Sequence, residues 1–83
     1  MASLPNMLRT ILGGRSDANV RFSDLQRVLV RLGFVERVRG DHFIYSRQGV
    51  VEIMNLQALP GGKAKPYQVK QMRQLVLKYR LGL

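Results

Sequence analysis

The pattern of apolar residues predicts an α+β fold: helices covering one face of a three-stranded antiparallel sheet, in the order α-α-β-β-β-α. Three observations carry this. Leu25, Val28, Leu29 and Leu32 recur at helical spacing. From Phe34 the period falls to two on either side of a Gly40-Asp41 pair, the mark of a hairpin with a two-residue turn. Beyond Pro66, the residues Val69, Met72, Val76 and Tyr79 restore the helical period.

Each element has its own local reason. Leu4, Met7, Leu8, Ile11 and Leu12 form a stripe that ends at Gly13-Gly14, so a short helix with a glycine stop is expected. Residues 15–21 have no period and several turn formers, and read as a surface connection. Ser23 followed by Gln26 has the pattern of a capping box at the start of the second helix, with Asp24 adding a favourable charge and Gly33 closing the helix. In the hairpin, Arg39 should face His42, Val38 Phe43, Arg37 Ile44 and Glu36 Tyr45. Alternation then puts Phe34, Val38, Phe43 and Tyr45 on a core face and Arg37, Arg39 and His42 on the other.

Arg47-Gln48-Gly49 reads as a turn into a third, β-branched strand over residues 50–56. Residues 57–65 contain Pro60-Gly61-Gly62 and are expected to be a loop, and Pro66 suits the first turn of the last helix. Lys70, Arg73, Lys78 and Arg80 should lie on or beside the outer face of that helix. No repeat or linker divides the chain. Its 83 residues are read as a single domain, 1–83, with a short helix and connection over 1–21 and the core over 22–81. A domain of this size buries only about 60% of the surface of its unfolded chain, so modest stability is expected.

Fourteen Lys and Arg against five Asp and Glu give a net charge of +9. The partners this favours are polyanions: nucleic acid, an acidic membrane surface or an acidic protein. Without cysteine there is no disulfide and no thiolate zinc site, and nothing calls for an oxidising compartment. No secretory leader pattern and no apolar run of ~18 residues is present, so a cytoplasmic location without membrane insertion is expected.

His42 is the one histidine, set by the hairpin opposite Arg39 and beside Arg37. Neighbouring cations disfavour the imidazolium and can hold a phosphate in a forked geometry. The chemistry this suits is RNA cleavage by the 2′-hydroxyl, with His42 moving a proton and the arginines stabilising charge on the phosphate. Asp41 can simply make the turn or can orient the imidazole. Lys63 and Lys65 lie just before the last helix, whose N-terminal amides favour anions, and Lys70 follows one turn in; phosphate contact is the expectation for all three. Tyr67 could stack on a base or cover the core.

Other chemistries fit poorly. One histidine and scattered carboxylates do not make a metal site, so none is expected and no cofactor is implied. Gly61-Gly62-Lys63 lacks the spacing and the following Ser or Thr of a P-loop. Arg39-Gly40 with Phe43 and Ile44 matches the aromatic RNA-binding signature of RRM domains only in part, because Asp41 stands where an aromatic is required.

The run from Ser23-Asp24-Leu25 to Leu32-Gly33-Phe34, then Gly40-Asp41-His42-Phe43-Ile44-Tyr45, then Gly62-Lys63-Ala64-Lys65-Pro66-Tyr67-Gln68-Val69, resembles the HicA toxins of bacterial toxin–antitoxin pairs. Those are small mRNA interferases whose fold is similar to a double-stranded-RNA-binding domain. The likeness runs from about Ser16 to Tyr79. The family's Gly-Ser-His motif falls on Gly40-Asp41-His42, which keeps the histidine; Asp41 stands in place of the serine and Phe43 in place of a second histidine. The resemblance implies an endoribonuclease that inhibits translation by cutting mRNA, with His42 catalytic, and a HicB-type antitoxin that covers the histidine face. A non-catalytic basic RNA-binding module is the alternative, and a small ribosome-associated structural protein a third.

Overall fold

The computed structural model describes residues 3–83. Residues 1 and 2 of the N-terminal segment lie outside it. The first helix, α1, runs Leu4–Gly13. Ser3 caps it by accepting the Asn6 N–H at 3.3 Å, and Gly14 ends it in the left-handed region at a φ of 72°. Met7 and Ile11 are buried, with Leu4 and Leu8 packed against the same core. The connection that follows is not wholly irregular: Asp17–Asn19 forms a single 3-10 turn.

The second helix, α2, spans Phe22–Arg31 and begins two residues before the start that a Ser23 cap would give. The Ser23–Gln26 capping box does not form; Arg21 holds the N-cap position without a side-chain bond. A tertiary contact takes its place. The Gly62 carbonyl accepts the Phe22 N–H at 2.9 Å, and the Phe22 ring is buried 5.5 Å from that of Phe43. An amide satisfied by a distant loop needs no local cap. Leu25, Val28, Leu29 and Leu32 are buried as the stripe requires.

Three strands follow, β1 Val35–Arg39, β2 His42–Arg47 and β3 Val50–Leu56, in one antiparallel sheet of order β1-β2-β3. The hairpin register is the expected one, Arg39 with His42 through Glu36 with Tyr45. Gly40 takes a φ of 61° while Asp41 stays at negative φ, which is the pattern of a type II′ turn. Between β2 and β3, Phe43 pairs with Leu56 and Ile44 with Asn55, and the register shifts between Tyr45 and Arg47.

The third helix, α3, covers Pro66–Tyr79. The Lys65 N–H donates to Gln68 Oε1 at 3.2 Å, and the Gln68 N–H donates back to the Lys65 carbonyl at 2.9 Å. Val69, Met72, Leu75 and Val76 are buried, while Tyr67 is exposed and does not cover the core. Arg73 departs from its expected place among the solvated cations, because its guanidinium is held by Asp17 and the Ile11 carbonyl.

All three helices contribute to one core, which takes Tyr45, Met54 and Leu56 from the covered face of the sheet. The other face is left open: Val51 is 86% exposed, and Val35 and Ile53 are exposed beside it. Val38 lies on the covered side by alternation yet stays exposed, since every residue of the edge strand β1 does. Tyr45 donates its hydroxyl to Glu36. Burial first, and that contact next, push its phenol well above the ordinary value, so it stays a neutral donor. Among the described residues, no helix is long and apolar enough to cross a membrane.

Candidate nucleic-acid interface

Strand alternation decides what the open face carries. Moving from the hairpin tip, its first row pairs Arg39 with His42 and its second pairs Arg37 with Ile44 and Asn55. Val35, Ile53 and Val51 lie on the same face further along. Cations and the imidazole therefore occupy one end, and apolar side chains the other.

His42 opens β2 with its side chain 48% exposed. The ring does not turn under the helices. Nδ1 lies 2.9 Å from Asn55 Oδ1. Nε2 faces Asp41 Oδ1 at 3.6 Å, beyond ordinary hydrogen-bond length. The other oxygen of that carboxylate accepts from Gln57 Nε2 at 2.5 Å. Of the two roles open to Asp41, the turn is the one it fills; its Oδ1 lies near the ring without a hydrogen bond to it. Arg39 is the direct cross-strand partner of His42, with Arg37 two residues behind it on the same strand. Nothing in the hairpin's own sequence marks Asn55 or Gln57 as neighbours of His42. The one signal for Asn55 is a polar side chain interrupting a β-branched strand, two residues after Ile53 on the same face.

The remaining basic residues form a second group. Lys63 donates to Asn19 Oδ1 at 3.2 Å and pairs across a short bridge with Arg21. Arg21, Ser23, Gly61, Gly62 and Lys63 line one open surface hollow. Lys70 is exposed and sits close enough to Asp17 to help hold its carboxyl below the usual range, behind the larger effect of Arg73. Lys65 is half-buried at the start of α3. Lys63 and Lys70 therefore both border the Asp17–Asn19 turn. Arg21 joins this group only through a pairing between distant parts of the chain, which its own neighbours in sequence do not announce.

The two groups share an end of the molecule. Phe43, next to His42, packs on Phe22, whose N–H is bound by Gly62 of the glycine loop. Gln57, which bonds Asp41, is the first residue of the segment leading into that loop. Among the described residues, no cluster of three or more His, Asp or Glu side chains is placed to hold a metal ion. Comparison with protein-family models, curated proteins and solved structures finds no match to this chain.

Proposed function

We propose that this protein is a metal-independent endoribonuclease, the toxin of a toxin–antitoxin pair similar to HicA and HicB, which cuts mRNA and so inhibits translation. The observation that carries the reading is the half-exposed imidazole on the uncovered sheet face, with Nε2 free of a hydrogen bond among the described residues and Arg39 directly across the ladder. In this reading His42 is the general acid or base for attack by the ribose 2′-hydroxyl. Arg37 and Arg39 stabilise the charge that builds on the phosphate, and Lys63, Lys65 and Lys70 follow the RNA backbone. The α-α-β-β-β-α layers are read as a variation on a double-stranded-RNA-binding domain, working in the cytoplasm.

An antitoxin partner suits the same face. Val35, Val51 and Ile53 are large apolar side chains exposed to solvent, and apolar side chains grouped on one exposed face are a mark of protein contacts. A HicB-type protein seated there would bury them and cover His42 together.

The test is to incubate the purified protein with end-labelled RNA in the presence of a chelator. The expected result is discrete fragments from the parent. With His42→Ala, cleavage should fall by roughly 10²–10⁴-fold while RNA is still bound. Equal cleavage by the variant removes His42 from the chemistry. Binding without fragments under any condition makes the protein a non-catalytic RNA-binding module.

A further inference from the structure

We propose that Asn55 is the positioning residue of this site: its amide oxygen fixes the tautomer and orientation of His42, so that Nε2 is the nitrogen that exchanges a proton with RNA. The proposal rests on the reading of His42 as the proton-transferring group.

An amide oxygen can only accept, so the ring nitrogen 2.9 Å from Asn55 Oδ1 must be the one carrying hydrogen. With Nδ1–H spoken for, the neutral ring has its lone pair on Nε2. The sheet makes this pairing available. Ile44 pairs with Asn55, and His42 is two residues before Ile44, so both side chains rise from the open face as diagonal neighbours within reach of each other. On the other side of the ring, Gln57 holds one oxygen of Asp41 and leaves the second 3.6 Å from Nε2. The imidazole is thus located between two polar groups but bonded through one nitrogen.

Local preference does not explain an asparagine here. Asn is among the poorer residues for a strand, while Val51 and Ile53 on the same face are β-branched. An exposed position that departs from its strand's own pattern, and does so with the atom that meets the one imidazole, is placed for the site and not for the sheet. An amide also keeps its hold whether the ring is neutral or charged, because it does not titrate.

Because the chain has one histidine, the ring nitrogens of the 15N-labelled protein can be read without ambiguity. In the parent, a single neutral tautomer protonated at Nδ1 is expected. Asn55→Ala should give a mixture of tautomers and lower turnover by about tenfold, the equivalent of one hydrogen bond, while RNA affinity is kept. Asn55→Asp should restore the tautomer and most of the turnover, since a carboxylate oxygen accepts the same Nδ1–H. Unchanged ring-nitrogen shifts in Asn55→Ala overturn the proposal, as does lost turnover that Asn55→Asp fails to recover. If the parent holds this tautomer yet cuts no RNA, Asn55 positions the ring and the cleavage reading itself has failed.

Discussion

Arg73 on α3 grips Asp17 through two hydrogen bonds, Nη1 to Oδ1 at 2.9 Å and Nη2 to Oδ2 at 3.1 Å. The same Nη1 donates to the Ile11 carbonyl at 3.1 Å, so one guanidinium ties the C-terminal helix to the end of α1 and to the turn after it. Both side chains are mostly buried, 17% and 23% exposed, which sets the pair apart from a solvated surface bridge. Arg73→Leu should therefore lower unfolding free energy by about 1–3 kcal/mol, read from urea denaturation midpoints. Arg73→Lys should recover only part of this, because an ammonium cannot make the fork. A midpoint unchanged in both variants would mean that α1 docks by apolar burial alone.

A second cross-link responds to acid. Glu52 on β3 accepts from Lys78 Nζ at 2.7 Å and from the Tyr79 hydroxyl at 2.5 Å, both on α3. The Lys78 bond first, then that of Tyr79, hold the Glu52 carboxyl down to about 2 from a usual 4.5. A carboxyl depressed in the folded state contributes stability that is complete above its unfolded value and is lost as pH falls toward the folded one. Asp17 is shifted in the same direction by Arg73. Thermal midpoints should stay level down to about pH 5 and then drop toward pH 2. Glu52→Gln should start lower and drop less steeply; an equally steep drop would place the acid sensitivity elsewhere.

Sequence was most informative where one residue's neighbours decide its place. The alternation of Val38, Phe43 and Tyr45 about Gly40-Asp41 specifies a register, and a slip of one would have put His42 under the helices. The stripe Leu25, Val28, Leu29 and Leu32 likewise leaves α2 one face to bury. What could not be read are contacts between parts of the chain that meet only on folding. Ser23 and Gln26 match a capping box, yet the helix starts earlier, at Phe22, whose N–H is bound by the distant Gly62 carbonyl. Arg73 looks like one more surface cation until Asp17 meets it. At the site, the side of the sheet on which His42 stands is legible from alternation, but Asn55 and Gln57 depend on the β2–β3 register, which the irregularity near Tyr45 and Arg47 hides.

The hairpin tip should tolerate little change at its first turn residue. Gly40 has a φ of 61° and open space where a Cβ would stand, so any cost of a side chain there comes from the backbone. Gly40→Ala should destabilise by about 1–3 kcal/mol, and Gly40→Asn by less, since asparagine is better tolerated at the positive-φ position of such a turn. Denaturation midpoints of the two variants give the comparison. Equal losses would show that something other than φ is limiting at the tip.

Charge should act on RNA by location as well as by number. Each cation that displaces a counterion from single-stranded RNA adds about 0.7 to the steepness with which log Kobs falls against log salt concentration. Lys63 and Arg21 flank the glycine loop, and Arg39 stands across from His42; none of the three has a carboxylate among its hydrogen-bond partners in the described residues. Lys78, by contrast, is joined to Glu52 at 2.7 Å, and its charge is already matched inside the protein. Replacing Lys63, Arg21 or Arg39 by alanine should each lower the slope by about 0.7, while Lys78→Ala should leave it nearly unchanged. Filter-binding or fluorescence titrations over a range of potassium chloride concentrations measure this directly. If Lys78→Ala flattens the slope as much as Lys63→Ala, RNA responds to the net charge of the whole molecule and the interface at the hairpin and glycine loop is wrong.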